Sequence, residues 1–449
     1  MRHETLFPAG WNVPRYTSYP TAPHFHDGVD AQTFANWLWA VPDGERVSLY
    51  IHVPFCDRLC WFCACHTKQT QRYDPVVPFL SALRREIGIV GGFIGARTKI
   101  AALHFGGGSP TMLKPQDLTS LMHLLRRTFS FTPDAEISVE IDPNDMDEAR
   151  LDAMAAIGVT RASLGIQDFD PRVQAAINRE QSYECTRDVV EGLRARGIGA
   201  INLDLLYGLP LQTYESVRAT LDRALSLRPD RMALFGYAHV PWMKKHQKLI
   251  DETTLPGPRE RVAQSTMAAE IIAAAGYVPI GIDHFALPGD SLAAAQVDGK
   301  LHRNFQGYTD DECHTLIGLG PSSISRMRQG YAQNVAATGI YQRRIAEGLL
   351  ATERGIAFSE EDAIRGWVIE RLMCDFGFCA RDMIERFGPA AGTVLADANQ
   401  LASDDMCPYF EVADDWFRVT EEGRPLVRTV AARFDAYFAA GKARHSAAV

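Results

Sequence analysis

Six short apolar runs recur along the first half of the sequence: Val47–Val53, Ile100–Phe105, Glu136–Ile141, Arg161–Gly165, Ala200–Leu206 and Arg231–Phe235. Between them lie stretches of helical periodicity, namely Val77–Ile89, Gln116–Phe129, Glu148–Ile157, Tyr183–Arg196 and Ser216–Leu227. Apolar runs of this length read as strands buried on both faces, and strands joined by helical crossovers make a parallel sheet. Six units are too few for a closed eight-stranded barrel. The reading is therefore an α/β fold with an open, partial (β/α)6 barrel, and a doubly wound open sheet is the alternative.

In parallel barrels the chemistry collects at the C-terminal ends of the strands. Cys56 follows the first run, Gly106, Gly107 and Gly108 follow the second, and Glu140 ends the third. Gln167 follows the fourth, Asp204 lies late in the fifth, and Ala238 and His239 follow the sixth. So many unusual residues on one rim argue for a binding site there. Singly, the carboxylates read equally well as caps of the next helices. The string Gly106-Gly107-Gly108-Ser109-Pro110 fits neither common phosphate motif, because Thr111 stands at the third glycine position and no Gly-Lys-Ser/Thr follows. Such glycines let bare backbone approach a ligand closely.

Four of the nine cysteines cluster in YIHVPFCDRLCWFCAC, Tyr50 to Cys65, as Cys56, Cys60, Cys63 and Cys65. Three thiolates on one short loop can hold three irons of a four-iron cluster and leave the fourth iron open to a small ligand. A structural zinc knuckle using all four thiols is the competing reading, as is a redox-inert packed set. The odd cysteine count fits a reducing compartment better than a disulfide framework. The start, MRHETLFPAGWN, lacks a secretory pattern, and the best apolar stretch, near Ile271 to Ile282, is short and carries Pro279. These features predict a cytoplasmic protein with no membrane span. The net charge of −9 argues against nucleic-acid or anionic-membrane binding, while leaving room for a local basic pocket.

The remaining chain divides into an N-terminal arm over residues 1–44, a barrel with cavity segments over 45–335, and a mainly helical, winged-helix-like cap over 336–449. The arm carries PRYTSYPTAPHF, whose prolines favour extended backbone. Two strings, GIDHFALP from Gly281 and HRNFQGYT from His302, are dense in His, Arg, Asn and aromatics. Ser359 to Asp362 reads as a helix cap before an amphipathic run to Leu372. Phe410–Val412 and Trp416–Val419 flank a polar turn, and a further helix is expected from Thr420 to about Phe438. The acidic residues in these turns speak against nucleic acid and for a lid.

The C-x3-C-x2-C spacing with Phe62 before the third cysteine resembles the cluster loop of the radical S-adenosylmethionine (SAM) superfamily. With Tyr50, His52, Cys65, the arm and the two strings, most of the chain resembles the oxygen-independent coproporphyrinogen III oxidase (coproporphyrinogen dehydrogenase) family. A haem-binding chaperone of the same superfamily is the alternative, against which Cys65 and the Arg15–Pro20 string count. The resemblance implies a cytoplasmic, monomeric oxidoreductase of haem biosynthesis, working with coproporphyrinogen III and a small electron donor such as flavodoxin or ferredoxin. It implies SAM cleavage to methionine and a deoxyadenosyl radical, then loss of hydrogen, carbon dioxide and an electron from two propionates, leaving vinyl groups. Cys56, Cys60 and Cys63 would ligate one 4Fe-4S cluster, with Tyr50, His52 and Cys65 catalytic. One SAM would lie near Tyr50, Gly107, Glu140 and Ile324. A second would lie near Phe62, Gly108, Ser109, Gln167, Arg179, Asp204 and Ala238. Ser109 stands where the family has threonine, and Ala64 where it has glycine. Four substrate propionates need cationic partners, for which Arg15, His302 and Arg303 are the choices, with Asn304, Phe305 and Tyr308 beside them.

Overall fold

The computed structural model describes residues 13–405 and 407–438. The first twelve residues of the arm and the last eleven of the cap lie outside them. All six expected strands form: β1 (Arg46–Val53), β2 (Lys99–Gly107), β3 (Ser130–Ile141), β4 (Arg161–Gln167), β5 (Ala200–Tyr207) and β6 (Arg231–Gly236). They pair in parallel in chain order, with successive crossover helices packed side by side, so the sheet is singly wound and the doubly wound alternative falls. Local sequence sets the crossovers. Helix Glu148–Ile157, for example, starts where Asp147 accepts from Arg150 N–H and ends at Gly158 with φ +83°.

The sheet reaches beyond the expected six. Strand Thr315–Leu319 lies parallel to β1 on its other side, and antiparallel strands extend both edges to twelve in all. Strand His284–Ala286, from the GIDHFALP string, continues β6, and HRNFQGYT folds as a separate hairpin pairing His302 with Thr309. Helix Thr338–Ala346 and strand Thr352–Ala357, expected in the cap, belong to the barrel: Tyr341 and Ile345 join its core, and the strand pairs with Gly330–Asn334. The division therefore falls near residue 358 instead of 335.

One expectation about burial reverses. Leu164, Leu203 and Val139 are buried under the helices, but the alternating residues Ser138, Ser163, Asn202 and Asp204 line the barrel interior and are only partly covered. The core is one-sided, packed against Phe79, Leu83, Leu121 and Leu125 of the helices. Each such side chain contributes about 1.5–3 kcal/mol of burial. A second core holds Val368, Leu372, Phe378, Phe417 and Phe434 of the cap, together with Val13, Tyr16 and Tyr19 of the arm. Tyr16 donates to Asp435 at 3.0 Å, so arm and cap are tied to each other. The hairpin Phe410–Ala413/Trp416–Val419 forms and gains a third strand, Gly377–Cys379. The expected helix from Thr420 is instead a 3-10 turn containing Pro425, then the short helix Val427–Ala431 and another 3-10 turn, because proline cannot continue an α-helix interior. Among the described residues no helix is long and apolar enough to cross a membrane.

Candidate functional site

The cysteine loop begins where β1 ends. Its base is closed by a short parallel ladder, with Lys68 N–H donating to Pro54 O at 2.8 Å and Thr70 N–H to Cys56 O at 2.8 Å. Its crown hangs from distant elements: Trp61 N–H donates to Ile177 O (2.9 Å), Asn178 to Leu59 O (2.9 Å) and Gln247 to Phe62 O (2.9 Å). Phe62 itself packs with Val173, Ile177, Leu209 and Tyr237. Each of the three expected ligand thiols has one polar neighbour: Thr67 Oγ1 lies 3.0 Å from Cys56, Arg179 donates to Cys60 at 3.6 Å, and Cys65 N–H to Cys63 at 3.3 Å. Burial pushes the Cys56 thiol up to about 12 despite Thr67, whereas the hydrogen bond from Cys65 brings Cys63 down to about 7 against its burial.

The spacing of these sulfurs separates the two metal readings. Tetrahedral zinc with bonds of about 2.3 Å brings its sulfurs within roughly 4 Å of one another. Among the described residues, the group of three or more possible ligands with all atoms within 4.8 Å is Asp57, Asp142 and Asp145; no three of the loop thiols meet that limit. The loop thiols are not gathered as one zinc ion would hold them, and soft sulfur donors on a short loop suit an iron–sulfur cluster.

Beside the loop stands a chain of rings on the barrel's inner wall. Register sets Tyr50 opposite His104, and His104 opposite Ser138. Tyr50 and His104 stack at 5.8 Å. His52 lies 2.9 Å from His66 O, which only accepts, so its Nε2 carries the proton and its Nδ1 accepts from Tyr50 O–H at 3.0 Å. Burial holds His52 down to about 4, so it stays neutral at ordinary pH. Burial also works to raise the Glu140 carboxyl, but donors at His104 Nε2 (3.2 Å) and Gly107 N–H (3.1 Å) outweigh it and keep Glu140 below its ordinary range. A methyl on Gly107, at φ +109°, would meet the His52 ring at 2.6 Å. One on Gly108 would meet Phe55 O at 2.5 Å, so the glycine run is required by close approach.

Further round the rim, β4 ends in a register shift that leaves Gln167 left-handed at φ +67°, a conformation that turns its side chain out of the strand. Asp204 accepts from Ser163 and Asn202 at 2.7 and 2.8 Å, and burial raises its carboxyl. Arg179 is fully engaged on one side, donating to Asp142 (2.7 Å), Gly165 O (2.7 Å) and Cys60, while its buried Nε has no partner among the described residues. Ala238 lies in the loop after β6, between the bonds Tyr237 N–H to Tyr207 O and Val240 N–H to Gln247. The Ser109 hydroxyl has protein partners of its own. It is buried and donates to Asp145 at 2.7 Å beside Thr111, so its free donor is used within the fold.

A cavity of about 560 Å³ opens beside Cys65 and the Tyr50–His52–Glu140 wall; Cys56, Cys60, Cys63, Gln167, Asp204 and Ala238 are not among its lining residues. Tyr50, His52, Cys65, Gly107, Glu140 and Ile324 line one side, and His302, Arg303, Asn304 and Phe305 the other. Arg303 is buried, with Nε and Nη1 unpartnered among the described residues and its guanidinium carbon 4.4 Å from the Tyr308 ring centroid. The Tyr308 hydroxyl donates to Met373 O at 2.6 Å, which fixes the ring beneath Arg303. His302 lies 3.2 Å from Glu370, and Arg15 donates to Gly236 O at 2.8 Å, outside the lining of the cavity. Reading the sequence missed His66, His104, Gln333 and Arg354, which also line the cavity or brace it. For His104 the two-residue alternation with Ala102 and Gly106 on an inward face was the available signal.

Comparison with known proteins agrees with this geometry. Residues 50–224 match the model of the radical SAM superfamily. The chain is 48% identical over 439 residues to an oxygen-independent coproporphyrinogen III oxidase of Paracoccus denitrificans, covering 97% of this chain and 96% of that one. It is 41% identical over 434 residues to one of Pseudomonas aeruginosa, covering 94% and 93%. The solved coproporphyrinogen III oxidase HemN from Escherichia coli, described as a radical SAM enzyme, superposes with a TM-score of 0.90 at 38% identity, covering 94% of this chain and 98% of that one. The chaperone alternative takes no support from these relatives.

Proposed function

This chain belongs to the oxygen-independent coproporphyrinogen III oxidases of the radical SAM superfamily, and we propose that its cavity is where two propionates of coproporphyrinogen III are oxidatively decarboxylated to vinyl groups, giving protoporphyrinogen IX. The observation that carries the site assignment is one juxtaposition. Cys65 at the end of the thiol loop, the Tyr50–His52–Glu140 wall and Arg303, with donors unpartnered among the described residues, line a single cavity.

Cys56, Cys60 and Cys63 would hold a 4Fe-4S cluster, with SAM against Tyr50, Gly107, Glu140 and Ile324. When bound, cluster and SAM supply the carbon radical that takes a hydrogen atom from a propionate β-carbon. Everything else falls to the chain. Ionised Glu140 offers its remaining lone pairs to a cationic or amino group beside Gly107. Neutral His52 fixes the Tyr50 hydroxyl by accepting its proton's hydrogen bond, and so presents a phenol oxygen to the cavity. Cys65 presents a thiol at the same wall, its pKa raised chiefly by Cys63. We assign Tyr50, His52 and Cys65 to the wall against which the reacting propionate lies. Each round releases carbon dioxide and passes one electron to an external one-electron acceptor, and an external one-electron donor such as flavodoxin or ferredoxin starts it. A second SAM would lie along Phe62, Gly108, Gln167, Asp204 and Ala238; Ser109 and Arg179 would serve it indirectly, by holding Asp145 and by steadying Cys60 and Gly165 O.

The test is anaerobic turnover. Protein reconstituted with iron and sulfide, given SAM and a reductant, should release two molecules of carbon dioxide per coproporphyrinogen and yield protoporphyrin fluorescence after oxidation. Protein that cleaves SAM yet leaves the substrate intact would overturn the reading.

A further inference from the structure

Around Arg303, the described residues gather four guanidiniums about one carboxylate, Asp283. Arg303 comes from the HRNFQGYT hairpin, Arg15 from the arm, Arg261 from helix Pro258–Ala274 and Arg428 from the cap helix Val427–Ala431. Their charges act on one another: Arg428 on Arg15 and Arg261, and Arg303 on Arg15 and Arg428. The carboxylate acting on Arg15, Arg303 and Arg428 is Asp283, and it is already engaged by His284 at 2.7 Å. Its contact with Arg303 is loose, at 3.6 Å.

The donors are only partly used. Arg15 gives one bond to Gly236 O and Arg261 one to Tyr237 O at 2.9 Å. Arg261 Nε and Arg303 Nε and Nη1 are buried without partners among the described residues. Burial and Arg428 together bring the Arg15 guanidinium down to about 10, a mark of crowded cations. Packing guanidiniums together in low dielectric costs several kcal/mol unless an anion offsets it. Tyr207 and Tyr308 flank the group with ring faces, Arg261 lying 5.9 Å over Tyr207 and Arg303 4.4 Å over Tyr308.

We propose that Arg15, Arg261, Arg303 and Arg428 form a carboxylate-binding subsite that anchors the propionates not undergoing reaction. Arg303 connects the two regions, since it lines the reaction cavity and faces Asp283 behind it. An arginine fork matches a carboxylate in a bidentate pair, and several forks together match a polycarboxylate. The cap thereby contributes a ligand group of its own, Arg428, and the arm contributes Arg15. It also gives a role to the contact between these two segments remote in sequence, in which Tyr16 donates to Asp435. The inference rests on the proposed substrate class and adds residues to it.

The test uses the full chain and the fluorescent tetracarboxylate coproporphyrin III as probe, with the dicarboxylate mesoporphyrin as control. Arg428→Met and Arg261→Met should each weaken coproporphyrin binding about tenfold or more, the scale of a lost charge-assisted pair. Mesoporphyrin binding should fall less, and Arg428→Lys should recover part of the loss. Cluster content and SAM affinity should match wild type in each variant. Unchanged coproporphyrin affinity in both Met variants, or equal losses for the two porphyrins, would overturn the subsite. If one Met variant does not fold, the other and Arg428→Lys decide by the same comparison. Wild-type turnover distinguishes the failures: an active wild type with indifferent variants removes this subsite alone, whereas an inactive cluster-loaded wild type removes the substrate reading.

Discussion

Raising the pH through neutrality should loosen the wall beneath the site through one buried carboxylate, Glu86. It lies on helix Val76–Ile94 and accepts from Gly320 N–H (2.7 Å), Tyr341 O–H (2.7 Å) and Asn334 Nδ2 (2.7 Å). Gly320, at φ +98°, packs so closely under His52 that a methyl there would meet His52 O at 2.5 Å. Glu86 thus clamps the turn that supports His52. Burial raises its carboxyl from 4.5 to about 7, although all three donors pull the other way. A carboxyl raised on folding contributes stability that is complete below its unfolded value and is lost as the pH climbs through its folded value. At roughly 1.4 kcal/mol per unit, the loss is about 3 kcal/mol, of which about 2 kcal/mol falls between pH ~5.5 and ~8.5. Urea unfolding of wild type and Glu86→Gln at several pH values isolates it, because other titrations cancel in the difference. The gap should move in the variant's favour by about 2 kcal/mol from the acid to the alkaline end. A gap that stays constant across that range would refute the reasoning.

Two further outcomes follow from the site. Cys56→Ser, Cys60→Ser and Cys63→Ser should each lose the visible absorbance of the reconstituted cluster, while Cys65→Ser should keep it; cluster loss in Cys65→Ser would sink the ligand assignment. Asp204→Asn keeps the shape that Ser163 and Asn202 bond to, so it should weaken SAM binding, measured by calorimetry, with the melting temperature nearly unchanged; a large drop in melting temperature with unchanged affinity would make Asp204 structural.

The six strands were legible because their outward residues keep a two-residue apolar spacing that helices cover, as in Leu164 and Ile166 of β4. The strand Thr315–Leu319 was not, because it follows a polar loop with no crossover helix to announce it. Cysteine spacing marked the cluster loop, but what holds that loop is non-local. Arg179 reaches Cys60 across 119 residues of chain, and no local pattern encodes such a partner. The partners of Ser109 and Tyr308 were hidden for the same reason, since Asp145 and Met373 take their hydroxyls only after the chain has folded. Arg261 and Arg428 sit in ordinary helices and look like solvated charges until the cap closes on the barrel.

The inward face of the sheet explains why the site could not be read from hydrophobicity at all. Expecting apolar burial on both faces treats the barrel interior as core, yet Ser138, Ser163, Asn202, Asp204 and Glu140 occupy it, bonded to one another or to His104, with Asn202 Oδ1 left without a partner among the described residues. A buried polar network costs stability unless each member is bonded, and even then it returns only about 0.5–1.5 kcal/mol per bond. The fold is therefore held by its outer face and by the clamp at Glu86, while the inner face is free to serve chemistry. Polar substitutions inward should then act on ligand affinity before they act on folding, whereas shortening Phe79 or Leu83 on the helix side should do the reverse, at about 2–5 kcal/mol each.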